Sequence, residues 1–305
     1  MLLLSFSILL SSCLSDDLDE ITTITENYTN IKTVQVDAAM LEVEYEGQAG
    51  SQGLTMQAEL RSNSKSRYEI KYRLSGDKLI VEVVNKKGLF GGAKAEGHIR
   101  FTGPRDMSLI LSAGSGKIKA ENVVSPETKL SIVSGEIRAK GIASGRTFLT
   151  STSGQVKAED IIGRVTADVS SGSIEVLRVD GDLDANGSSG LIKLTGINGQ
   201  VTANMSSGKV ELTNVKSLGK INISSGQLFA TATGLSAQTE LRASSGNIYV
   251  QTPTNLRSFN YNITVGSGTA KVGTSQSTSG ALNINNGASS TIRGEVGSGK
   301  IEIVN

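Results

Sequence analysis

The sequence predicts an all-β fold, a parallel single-stranded β-solenoid with coils of about 18 residues. Three observations predict it. A Ser-Gly pair recurs with its glycine at 116, 135, 154, 172, 190, 208, 226, 246 and 268, and again at 299. The residues two and four places after each glycine are aliphatic at every repeat. Proline is nearly absent, 3 in 305 residues, while glycine reaches 35. A rod stacked strand on strand uses a backbone donor at almost every position, which excludes proline. A left-handed hexapeptide solenoid would need a small or aliphatic residue every six places. That rule is not obeyed, so a right-handed coil is expected.

The elements follow in order. Residues 1–12, MLLLSFSILLSS, are apolar and too short to span a bilayer as a mature helix. They end in two small residues and Cys13. Leu10-Ser11-Ser12-Cys13 resembles a bacterial lipobox, although no Lys or Arg precedes the apolar run. The expectation is a lipoprotein signal peptide over 1–12 and lipidation of Cys13. Residues 13–30 read as an acidic tether. Its Ser15-Asp16-Asp17-Leu18-Asp19-Glu20 resembles the tag that sends Bacteroidetes lipoproteins to the outer face of the outer membrane.

Residues 31–104 carry strands without the Ser-Gly mark and read as irregular first coils and cap; a separate small β-domain is the alternative. Leu41, Val43 and Tyr45 alternate with acids, and Leu54, Met56, Ala58 and Leu60 with polar residues. Tyr68, Ile70, Tyr72 and Leu74 do the same, and Leu79, Val81 and Val83 follow the turn Ser75-Gly76-Asp77. Lys86-Lys87-Gly88-Leu89-Phe90-Gly91-Gly92 is a loop. Residues 105–305 are the regular solenoid with irregular C-terminal coils. In each unit, residues such as Ile174 and Val176 point inward after the glycine, and Ala167 and Val169 before it. Val179 and its equivalents turn the chain back inside. The glycine suits a turn with φ > 0. The serines before it would stack as a hydroxyl ladder.

Composition excludes several classes of chemistry. Net charge is +1, from 30 basic and 29 acidic residues, and offers no field for nucleic acid. One cysteine excludes an intrachain disulfide, and one histidine, His98, excludes most His-based metal sites. No cofactor and no metal are expected. The repeat serines have no base within the repeat and no G-x-S-x-G context, so they are not nucleophiles. A glycan-active enzyme would need carboxylates clustered across coils. Asp180, Asp182 and Asp184, with Asp168, Glu159 or Asp160 a coil away, are the best candidates, and solvated turn acids are their simpler reading. Thr150-x-Thr152 and Thr231-x-Thr233 are too isolated for an ice-binding ladder.

The outward face offers binding candidates. Lys117, Lys119, Arg138 and Lys157 fall on successive coils and would suit an acidic polysaccharide or lipid phosphate. Their ordinary reading is a solvated face that blunts aggregation. Phe229 and Tyr249 fall on adjacent coils as an outward aromatic pair, a platform for a glycan or protein ligand unless residues 251–262 cover it.

The lipobox, the β-rich lead-in and the tandem [SV]-S-G-x-[IV]-x-[AVL] units over residues 30–305 resemble the DUF4097 family of bacterial β-strand-repeat proteins. The related DUF2807 head-domain adhesins share the architecture. The resemblance implies a solenoid and an adhesin-like role, and it supplies no catalytic residues. The sequence thus reads as a lipid-anchored outer-membrane protein, non-enzymatic, binding at the cell surface. A polysaccharide-active enzyme and a periplasm-facing accessory lipoprotein of envelope stress are the alternatives. Oligomeric state is open.

Overall fold

The computed structural model describes residues 18–87 and 93–305. The expected signal peptide, Cys13, and residues 88–92 of the Lys86–Gly92 loop lie outside the described residues. The chain forms β1 (Asp19–Thr29), β2 (Thr33–Asp37), β3 (Glu42–Gln48), β4 (Gly53–Ser62), β5 (Tyr68–Ser75) and β6 (Lys78–Asn85). It continues with β7 (Ala95–Pro104), β8 (Ser108–Ala113), β9 (Lys117–Asp180), β10 (Leu183–Thr231), β11 (Glu240–Ala243) and β12 (Asn247–Gln251). β13 (Asn260–Val265), β14 (Thr269–Val272), β15 (Ser275–Ser277), β16 (Gly280–Ile284), β17 (Thr291–Val296) and β18 (Lys300–Val304) complete it. Among the described residues the only helical element is the 3₁₀ turn Leu256–Ser258.

The long strands β9 and β10 are several coils of extended chain that bend without losing their ladder. Successive coils pair in parallel with an offset of 18, as in Ile192 with Ile174 and Leu194 with Val176. The inward positions are all buried: Ile118, Ile137, Val156, Ile174, Ile192 and Val210 form one column, Val123, Ile142, Ile161 and Val179 another. A coil this thin buries few side chains, so stability comes from stacking neighbours rather than from any one unit.

Two backbone devices repeat with the coil. The Ser-Gly glycine is required chiefly by closeness: a methyl group at Gly172 would overlap the carbonyl oxygen of Gly154 in the coil beneath. Positive φ adds to this at Gly172 (136°) but not at Gly226 or Gly246, so close approach is the general reason. Six residues after each of the seven glycines from Gly116 to Gly226 the chain takes a left-handed residue. These are Asn122, Gly141, Asp160, Arg178, Gly196, Asn214 and Ala232, with φ between 50° and 71°. This turn sends Val179 and its equivalents back inward.

The stack does not follow chain order at either end. β18 lies between β12 and β14, pairing Ile301 with Ile248 on one side and with Ala270 on the other. β17 likewise lies between β11 and β13. At the opposite end the coil of β2 and β3 lies between β8–β9 and β6–β7: Val34 pairs with Leu109 and Leu79, Val43 with Ile118 and Ile99. Antiparallel strands finish both ends. β4 and β1 extend from β7, β5 from β6, and β15 and β16 cover β14 and β13. Residues 19–29, expected in the acidic tether, are therefore a strand. Ile24 and Tyr28 lie over Ala58 and Leu54 of β4 and partly cover them. The N-terminal hundred residues are continuous with the solenoid stack.

The core is polar in one section. Ser125, Thr128 and Ser144 are buried and share hydroxyl hydrogen bonds of 2.8–3.0 Å. Thr147 and Ser151, buried nearby in sequence, have hydroxyls with no hydrogen-bond partner.

Candidate binding surface

Extended backbone sends the residues one, three and five places after each glycine outward. Phe229 and Tyr249 occupy the third place on adjacent coils, directly paired across the ladder. Their ring centroids are 6.3 Å apart and tilted by 45°. Phe229 is 43% exposed, so residues 251–262 do not cover it. Lys209, from the coil before, places its Nζ 5.3 Å from the centre of the Phe229 ring, a cation–π contact. Past Tyr249 the row continues with Glu302 and Lys271, which are joined by a 2.8 Å ion pair. The row position before Phe229 is Glu211, which pairs with Lys209, so the row runs carboxylate, two aromatics, carboxylate, cation, with Lys209 beside it. Lys209 was not among the residues singled out in the sequence; its outward place one residue after Gly208 was the available signal.

The basic stripe is assembled as well, and it is largely neutralised. Lys119, Arg138 and Lys157 line one shallow groove floored by Ala139 and Ala158. Glu136 bridges Arg138 (2.8 Å) and Lys157 (3.2 Å), and Lys119 pairs with Glu121 (2.9 Å). Hydrogen bonds from Arg138 and Lys157 outweigh burial and hold the Glu136 carboxyl below its ordinary range. Lys117 has no ion-pair partner among the described residues. The groove presents alternating charge rather than a cationic field.

The turn acids are engaged singly with their own neighbours. Asp184 accepts from Arg164 (2.7 Å), Asp180 from Asn198 (3.0 Å), and Asp182 from the backbone N–H of Gln200 (2.8 Å). Asp160 and Glu159 both bind Arg178. Among the described residues no three acidic, histidine or cysteine side chains gather as a metal site would require.

The expected hydroxyl ladder is replaced by another. Among the described residues neither the serines before the glycines, Ser171, Ser189, Ser207 and Ser225, nor those one place earlier, Ser170, Ser188, Ser206 and Ser224, bond to one another through their hydroxyls. Two places earlier, Asn186 donates to Asp168 (2.6 Å), Asn204 to Asn186 (2.7 Å) and Asn222 to Asn204 (2.7 Å). The next residue in register is Arg242. Aligned amides thus run from a carboxylate at one end toward a guanidinium at the other. The recurrence of Asn at 186, 204 and 222 was visible in the sequence as the coil period.

No curated protein matches the chain. Among solved structures, a candidate adhesin from Parabacteroides distasonis is 12% identical over 95% of this chain and 98% of its own, with a TM-score of 0.47. A candidate lipid-binding protein from Parabacteroides distasonis is 15% identical over 93% and 97%, with a TM-score of 0.40. A candidate adhesin from Parabacteroides merdae is 11% identical over 93% and 96%, with a TM-score of 0.34. The Toastrack DUF4097 family profile matches residues 20–212 and 162–304. The chain belongs to the Toastrack DUF4097 family.

Proposed function

We propose that this protein is a lipid-anchored, non-enzymatic binding protein of the bacterial cell envelope, adhesin-like and held to the outer membrane by Cys13. The observation that carries the binding role is the Phe229–Tyr249 pair with Lys209 against it. In a chain with 6 Phe, 6 Tyr and no Trp, two aromatics meet on the solvent side of a smooth rod. Aromatic faces with an adjacent cation and carboxylate suit a sugar ring or an extended protein segment. The names of the structural relatives, adhesins and a lipid-binding protein, point the same way, as statements about those proteins. The turn acids Asp160, Asp180, Asp182 and Asp184 are each held by a basic or amide neighbour of an adjacent coil, which favours a structural role for them over glycan cleavage.

A glycan array and a surface pull-down with wild-type protein and the Phe229→Ser/Tyr249→Ser double variant test the reading. The wild type is expected to retain a glycan or envelope protein that the variant loses at unchanged thermal stability. Equal retention by both rejects this surface. Retention of Cys13→Ser protein in the membrane fraction rejects the anchor.

A further inference from the structure

We propose that the β1–β5 end of the solenoid seats on a lipid surface, with Tyr72 and Leu74 as its contact residues. This rests on the reading of Cys13 as the lipid anchor.

The two ends of the rod are finished differently. At the β15–β16 end one outer strand reads Ser275-Gln276-Ser277, and Leu282 of the other outer strand is buried. At the other end, two columns of core side chains run out of the molecule. Leu111, Val36 and Val81 pair in register and lead to Tyr72. Leu109, Val34 and Leu79 lead in the same way to Leu74. The inner residues are at most 1% exposed, whereas Tyr72 is 41% and Leu74 55% exposed. β5 pairs only with β6, and among the described residues no strand pairs beyond it. Repeat proteins finish their stacks with polar caps for solubility, and this end departs from that rule.

The occupant follows from where the chain leaves. β1 is the outermost strand of the same end, and the Tyr72 hydroxyl donates to Glu26 of β1 (3.2 Å). From Cys13 to Asp19 the chain spans at most about 20 Å. From Asp19 to Glu26 it runs about 23 Å along β1. An acyl group on Cys13 therefore holds this end, and no other, within reach of the bilayer. Lys71 and Arg73 alternate with Tyr72 and Leu74 on β5 and are exposed, complementing anionic headgroups. Tyrosine favours the interface between headgroup and acyl chain. A second contact of this kind converts a flexible tether into a defined stance. Phe229 then stands nine coil spacings away, about 40 Å from the lipid surface.

The absence of tryptophan supplies the test. Leu74→Trp and Tyr72→Trp each give full-length, lipidated protein a single reporter, and Ala281→Trp gives one at the opposite end. Each is reconstituted in phosphatidylethanolamine–phosphatidylglycerol vesicles with and without brominated acyl chains. Trp emission at positions 72 and 74 is expected to shift to the blue and to lose intensity to bromolipid, with position 281 unchanged. Equal, solvent-like emission at all three sites overturns the proposal. A blue shift without quenching, with doubled mass for detergent-free Cys13→Ser protein, overturns it in favour of a second copy. Failure of wild-type protein to enter the membrane fraction overturns the anchor reading itself.

Discussion

Arg178 grips Asp160 of the preceding coil with two hydrogen bonds, Nε to Oδ1 at 2.6 Å and Nη2 to Oδ2 at 3.0 Å. Both residues are left-handed, with φ of 58° and 57°, and Glu159 joins them through the same guanidinium. The strained turn of one coil is thereby tied to the strained turn of the next.

The first prediction concerns pH. Hydrogen bonding by Arg178 is the main cause that lowers the Asp160 and Glu159 carboxyls below their ordinary 3.8 and 4.5. A depressed folded-state pKa stabilises above the unfolded value and is lost as pH falls through the folded one. Arg178→Gln is therefore expected to lower thermal stability at pH 7, with the difference from wild type closing as pH drops below about 4. These groups are exposed, so salt reduces the difference. Melting curves from pH 7 to pH 2 check it; a constant difference rejects it.

Asn204 occupies the middle of the amide ladder and Asn222 its end. Asn204→Ala removes two hydrogen bonds and Asn222→Ala one. At about 0.5–1.5 kcal/mol per bond, the first costs about twice the second. Urea unfolding of both variants provides the comparison. Equal losses would show that the two bonds of Asn204 do not contribute additively, and would reject the prediction.

Gly172→Ala drives a methyl group into the Gly154 carbonyl and forces two coils apart. The expected loss exceeds about 4 kcal/mol, beyond ordinary substitutions. Gly50→Ala is the control: φ is 77° there, yet no atom lies within 4 Å of the added methyl. It costs only the conformational term, about 1–2 kcal/mol. Thermal denaturation or yield of folded protein separates the two.

Thr147 buries a hydroxyl without a partner, at a place where the next coils carry Val165 and Leu183. Thr147→Val removes that polar group at constant shape. It is expected to stabilise by about 1–2 kcal/mol, read as a higher midpoint in urea. A lower midpoint would mean that the hydroxyl is satisfied in solution.

Deleting residues 300–305 opens the slot between β12 and β14. Amides of residues 247–251 and 260–272 are expected to lose hydrogen-exchange protection, while those of 156–212 keep theirs. A synthetic Gly299–Asn305 peptide is expected to restore protection when added. Protection unchanged by the deletion would sink the prediction.

The coil was legible because it rests on local repetition. Glycine marks the close approach, and Ile174 and Val176 show the inward face two and four residues on. The left-handed position was hidden because Asn, Gly, Asp, Arg and Ala all fill it. Ile301 matched the repeat, but its layer between Ile248 and Ala270 did not follow from chain order. That placement depends on pairing across a long excursion, which a period cannot report. β1 was hidden because its acids Asp19 and Glu20 read as tether, while its pairing with β4 is non-local. For the candidate site, outward aromatics and lysines followed from the period. The neutralising role of Glu136 followed only from side-chain geometry.

The inverted layering has a temporal meaning. The ribosome delivers β14 before β17 and β18, although β18 pairs between β12 and β14. The open edges of β12 and β14 must therefore wait for residues 291–304 to emerge. A chain interrupted before residue 300 leaves an unfilled gap inside the rod and exposed backbone for a protease to grip. A finished molecule has no such gap. The fold thereby makes completion of synthesis a condition of its own survival.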